Sequence, residues 1–159
     1  MTIILHRCNS ITSLQSTPVS YGIEVDIRSY GSELIIHHDP LKKGVNFELW
    51  LQAYHHSTLI LNVKEEGLEP QLIILMQSYG IADFFFLDQS FPFLVKYANQ
   101  GESRCAVRMS EFESIETALA LRNKVDWIWI DCFTKFPLNH KNYEILKNAG
   151  FKLCLASPE

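Results

Sequence analysis

The sequence predicts an α/β protein, a TIM-type (β/α) barrel that is incomplete or shortened at its C-terminal end. Three observations carry this expectation. Short apolar runs alternate with helix-like segments, the rhythm that builds parallel sheets. Most of the runs are continuously hydrophobic rather than alternating, as parallel strands covered on both faces require. Charged or titratable residues stand at the carboxyl end of nearly every run, where a barrel of this type gathers its chemistry. A doubly wound sheet is the alternative, but no glycine-rich phosphate loop follows the first strand.

The first strand covers residues 2–5 and runs into His6 and Arg7. The second, 23–27, contains Glu24 and Asp26 near its end. An extended segment at 33–36 turns back after Gly31 and leads into His37, His38 and Asp39. A helical pattern at 47–54 precedes a strand at 58–63, with Asn62 and Lys64 at its end. Helices at 70–79, 91–99, 114–122 and 141–148 then alternate with strands at 84–87, 105–107, 127–130 and 151–155. Asp88, Arg108 and Asp131 follow three of these strands. Gly67, Gly80, Gly101 and Gly150 fall near the ends of elements, where turns and helix stops belong.

Seven main strands in 159 residues fall short of the roughly 200 residues a full barrel takes. The sequence stops at Ser157-Pro158-Glu159, immediately after a strand. The expected consequence is an open edge beside the first strand, whose unpaired backbone groups invite self-association. No repeat, low-complexity tract or linker divides the chain, so a single domain over residues 1–159 is expected.

Composition narrows the partners. Hydrophobic residues make up 47% of the chain and charged residues 20%, ordinary for a globular protein and too apolar for disorder. Fourteen basic against 18 acidic residues leave a net charge of −4. There is no broad basic field for nucleic acid or anionic lipid, so any phosphate recognition must be local. No stretch reaches the roughly 18–20 apolar residues of a membrane span, and Ile3-Ile4-Leu5 is too short for a signal peptide. Cys8, Cys105, Cys132 and Cys154 lie far apart without a C-x-x-C pair, which suits a reducing cytoplasm.

The chemistry concentrates in the first half of the chain. Glu24 and Asp26 are two apart on a strand and so share a face. Two carboxylates held together repel and resist burial unless a cation compensates. Oxygen-only ligands favour Mg²⁺ or Ca²⁺; a solvated strand end with two charges is the plainer reading. His6 and His38 offer imidazoles, the side chain best suited to act as acid or base, although a lone histidine is more often structural. Arg7 offers a fork suited to phosphate. Asn62 and Lys64 repeat the two-residue spacing, and Lys64 either neutralises phosphate or pairs with Asp26.

The order His6-Arg7, then Glu24-Val25-Asp26-Ile27-Arg28, then His37-His38-Asp39-Pro40-Leu41 resembles the glycerophosphodiester phosphodiesterase family. The likeness is good over residues 5–41, weaker through 61–64, and fades to a general strand–helix rhythm beyond. It implies a metal-dependent hydrolase of small-molecule phosphodiesters, with His6 and His38 as the acid–base pair. Arg7 and Lys64 would contact phosphate, and Glu24, Asp26 and Asn62 would hold Mg²⁺ or Ca²⁺. In that family a hydroxyl beside the phosphate attacks phosphorus, and water then opens the cyclic product.

Three departures stand out. Cys8 replaces the family's glycine after His-Arg. Asn62 replaces a glutamate two residues before the lysine, which predicts weaker metal binding unless Glu65 or Asp88 substitutes. Only about 20 residues separate His38 from Thr58, where the family carries a longer, glycerol-recognising insertion. Asn62, the missing insertion and the short C-terminus favour, as the alternative, a weak or inactive relative that binds a phosphorylated ligand or a protein partner. A sugar-phosphate isomerase-type barrel is a third reading, but it has no need of paired histidines in this order.

Overall fold

In the computed structural model, residues 2–156 are described; residues 157–159, where the reading placed the stop after the last strand, lie outside them. The chain divides into two compact units, Met1–Gln89 and Ser90–Glu159.

The first unit is built on a mixed sheet. Strands β1 (Ile4–Leu5), β2 (Gly22–Tyr30), β5 (Leu59–Val63) and β6 (Phe84–Leu87) run parallel, with β1 and β5 both paired to β2 and β6 paired to β5. The extended segment of the sequence is β3 (Glu33–Ile36), antiparallel to the second half of β2. A two-residue strand, β4 (Val45–Asn46), continues the hairpin. The long β2 thus shares one edge between β1 at its start and β3 at its end.

Register divides this sheet into two faces. Glu24 pairs with Ile60 and Ile60 with Phe85, while Asp26 pairs with Asn62 and Asn62 with Leu87. Residues side by side on parallel strands point the same way, so these six share one face. Val25, Leu61 and Phe86 occupy the other, and all three are buried. Helices α1 (Ile11–Ser16), α2 (Phe47–Leu51) and α3 (Glu69–Ser78) bury Leu14, Phe47, Trp50, Leu72 and Met76. Gly22 is required by close approach: a Cβ there would stand 2.9 Å from Ile4 and 3.0 Å from the Thr58 carbonyl.

The second unit holds three parallel strands in sequence order, β7 (Ala106–Met109), β8 (Trp127–Ile130) and β9 (Lys152–Leu155). Helices α4 (Phe91–Asn99), α5 (Ile115–Ala120) and α6 (His140–Asn148) belong to this unit. The described residues therefore contain the seven strands of the sequence reading, four parallel in the first unit and three parallel in the second, plus the β3–β4 hairpin.

Two elements were not foreseen. The segment forming α1, Ile-Thr-Ser-Leu-Gln-Ser, is poor in helix formers, and it folds because the Ser10 side chain accepts the Ser13 N–H at its N-terminus. Strand β4 is too short to show a period. No helix of the described residues is long and apolar enough to cross a membrane.

Candidate active site

Three chain segments are drawn to β2 by backbone hydrogen bonds. Beyond β1, the Cys8 N–H donates to the Glu24 carbonyl at 2.8 Å. Beyond β3, the His37 N–H donates to the Asp26 carbonyl at 3.0 Å, and beyond β5 the Lys64 N–H donates to the Ile27 carbonyl at 3.0 Å. These bonds set His6-Arg7, His37-His38 and Lys64 around the carboxylates of one strand.

Glu24 and Asp26 are both fully buried, which excludes the plainer reading of a solvated strand end. Each is surrounded by donors instead. Glu24 Oε2 accepts the Arg7 N–H at 2.6 Å, with His6 Nε2 3.7 Å away, and Oε1 accepts from Asn62 Nδ2 at 2.8 Å. Asp26 Oδ2 accepts from Asn9 Nδ2 at 2.7 Å, and Asn9 Oδ1 in return accepts the Asp26 N–H at 3.0 Å. Lys64 Nζ lies 3.2 Å from Asp26 Oδ1 and 3.3 Å from Asp88 Oδ2. It hydrogen-bonds Asp88 but approaches Asp26 only as an ion pair, so Asp26 Oδ1 is buried without a hydrogen bond.

Burial raises the pKa of Glu24, and the charge of Asp26 adds to the rise. The Arg7 N–H, His6 and the Asn62 amide pull it back without cancelling it. The structure thus brings Glu24, Asp26, Asn62, Lys64 and His6 into one cluster. His38 is placed differently, on the hairpin, where its Nδ1 lies 3.0 Å from Asp39 Oδ1. Its carbonyl accepts from Arg28 Nε at 3.1 Å and Nη2 at 2.9 Å. Arg28 is therefore the residue that moors the His38 loop to β2. The Arg7 side chain is exposed, and its backbone takes the left-handed conformation (φ +53°) that aims its N–H at Glu24.

Cys8 sits where the resemblance would place glycine, yet the left-handed residue of this turn is Arg7. Cys8 is buried with its Sγ 3.5 Å from Ser13 Oγ. Of the two acids that could stand in for a third carboxylate, Glu65 is committed to Ser29 and lies 3.5 Å from Arg28, whereas Asp88 reaches the cluster through Lys64. Asn9 escaped the sequence reading: its two contacts with Asp26 depend on the turn after Arg7, and an asparagine in a polar loop carries no periodic signal.

No protein-family model matches the sequence, and no curated protein matches it. Among solved structures, a glycerophosphodiester phosphodiesterase from Agrobacterium tumefaciens superposes with a TM-score of 0.69 at 15% identity, covering 98% of this chain and 85% of its own. A second A. tumefaciens structure, described as that of a glycerophosphoryl diester phosphodiesterase by assignment, gives a TM-score of 0.73 at 13% identity, covering 98% of this chain and 84% of its own. The chain shares their fold. At this identity the likeness concerns architecture, and the glycerophosphodiester phosphodiesterase fold is the frame in which the cluster on β2 stands.

A hard cation can be tested against the donors present. They are two buried carboxylates and one amide; among the described residues no group of three or more His, Cys, Asp and Glu side chains could hold a metal. Two buried oxygens, Asp26 Oδ1 and Asn62 Oδ1, have no hydrogen bond. Asn62 Oδ1 has no partner, and Asp26 Oδ1 has only the Lys64 charge at 3.2 Å; oxygens of this kind suit Mg²⁺ or Ca²⁺ in chemical type, with fewer negative charges than a three-carboxylate set. The donors match a hard cation in oxygen type, with the Lys64 ammonium 3.2 Å from one of them.

Proposed function

We propose that the chain is a cytoplasmic, single-domain phosphoric diester hydrolase of the (β/α) barrel type, acting on small phosphodiesters of the glycerophosphodiester kind. The observation that carries this reading is the buried Glu24–Asp26 pair with His6, Asn62 and Lys64 gathered on it. A fold shared with glycerophosphodiester phosphodiesterases supports it. Glu24, Asp26 and Asn62 would hold Mg²⁺ or Ca²⁺, which when bound supplies positive charge to polarise a phosphoryl oxygen. Lys64 and Arg7 bring further positive charge to the phosphate.

His6 and His38 move the protons in this reading. The carboxylate of Glu24 lies 3.7 Å from His6 Nε2 and orients that ring toward the cluster on β2. Asp39, 3.0 Å from His38 Nδ1, orients that ring and leaves Nε2 as the working atom. One histidine removes the proton of the attacking hydroxyl, and the other protonates the departing oxygen.

The test is hydrolysis of bis-p-nitrophenyl phosphate with Mg²⁺ or Ca²⁺ present, beside calorimetric titration with each metal. Glu24→Gln is expected to lose both metal binding and turnover. His38→Ala is expected to retain the metal and lose turnover by about 10²-fold or more. If Glu24→Gln binds metal as well as the parent, the pair is structural. A second reading then takes over, in which an inactive relative binds a phosphorylated ligand. It is favoured by Asn62, whose amide donates to Glu24 where a third carboxylate would bind a cation.

A further inference from the structure

Lys64 occupies an unusual position between two acids. Its side chain is 17% exposed, Asp26 is fully buried, and Asp88 is 24% exposed. The ammonium hydrogen-bonds the more exposed acid at 3.3 Å. It lies 3.2 Å from the buried one, outside hydrogen-bond geometry, so Asp26 Oδ1 is held by charge alone. A lysine with a flexible four-carbon stem and two acceptors of different burial has two places to rest. The end of β6 is shaped for this: Asp88 adopts the left-handed conformation (φ +59°), where aspartate is among the few side chains tolerated.

We infer that Lys64 is a tethered counter-ion competing with a divalent cation for Asp26, and that Asp88 is the acceptor that holds the ammonium when the cation binds. The inference rests on the metal-dependent reading above and goes beyond it. A cation on Asp26 Oδ1 would meet the Lys64 ammonium a few ångströms away, and like charges at that distance repel strongly. Without a second acceptor, Lys64 could yield only by giving up its ion pair altogether. With Asp88 beside it, the ammonium can leave Asp26 yet stay at the site, available to a phosphate. Asp88 is thus a positioning residue that acts through Lys64. In this arrangement the two carboxylates of β2 already have one positive charge beside them.

The experiment is calorimetric titration of the whole chain with CaCl₂ and with MgCl₂, no substrate present. Lys64→Met should bind Ca²⁺ about tenfold or more tightly than the parent, having lost the competing charge. Lys64→Gln, which keeps a polar end, should show the same gain if Lys64→Met folds poorly. Asp88→Asn should weaken binding in the parent, because Lys64 then pairs with Asp26 alone, and should have no effect in the Lys64→Met background. In the unmutated protein, Ca²⁺ should shift the ¹³Cε resonance of Lys64. Equal or weaker binding by both Lys64 variants overturns the competition, as does a Lys64 resonance unmoved by bound Ca²⁺. An equal loss from Asp88→Asn in both backgrounds overturns the role of Asp88 and makes it a direct ligand. Absence of binding by the parent and by every Lys64 variant defeats the metal-dependent reading itself, and this inference with it.

Discussion

Asn62 decides how much charge the cluster carries. Its Nδ2 donates to Glu24 Oε1 at 2.8 Å, so Asn62→Glu would exchange a donor for a second carboxylate against a buried one. Without divalent cations this variant should be less stable by about 1–3 kcal/mol, from the lost bond and an unpaired buried charge. With Ca²⁺ or Mg²⁺ present it should recover that loss and bind the ion more tightly than the parent. Urea unfolding with and without the metal measures both effects; a variant equally destabilised in both conditions would show that residue 62 has no part in holding a cation. At this scale much of the site was legible, because spacing two apart on a strand fixes a common face. Glu24, Asp26, Asn62 and Lys64 follow from that rule alone. Asn9 and the mooring role of Arg28 do not, since both depend on where a turn brings a side chain back to β2.

Elements were legible in proportion to how apolar they are. The runs at β5 and β6 are buried along their whole length, and each stands out in the sequence. In the loops after β7 and β8 the sequence marked only Asp131, yet a different residue joins them. Glu111 accepts the backbone N–H groups of Phe133 and Lys135 at 3.2 and 3.0 Å, and that of Thr134, whose hydroxyl also donates at 2.9 Å. Desolvation would raise its pKa, but its own backbone N–H and those of Lys135, Thr134 and Phe133 outweigh this and hold it down to about 2. A carboxylate depressed in the folded state stabilises at pH above its ordinary value, 4.5, and loses that contribution as pH falls toward about 2. Glu111→Gln should therefore unfold at lower urea concentration than the parent at neutral pH, and the gap should close as the medium approaches pH 2. A gap that is constant with pH would mean the loops are joined by hydrogen-bond shape and not by charge.

For the molecule as a whole, the strands and their parallel pairing within each unit were readable, because polar residues cluster at strand ends and parallel strands are uniformly apolar. What the periodicity did not disclose is how the contacts partition. Every candidate ligand and proton carrier, from His6 to Asp88, lies within the unit Met1–Gln89. A cation that binds the folded state alone stabilises it by mass action, about 2.7 kcal/mol at a hundred times its dissociation constant. In this chain that stabilisation should enter through the first unit. Calorimetric melting with 10 mM MgCl₂ or CaCl₂ should raise the transition that includes β2, by about 2–4 °C for each kcal/mol. Amide hydrogen exchange should show the added protection on β2 and β5 before β8. Sodium chloride at equal ionic strength should not reproduce the shift, and Glu24→Gln should abolish it. If Glu24→Gln melts higher in the divalent salt by as much as the parent does, the ion acts on the general surface charge of a −4 protein and not on the pair at the heart of β2.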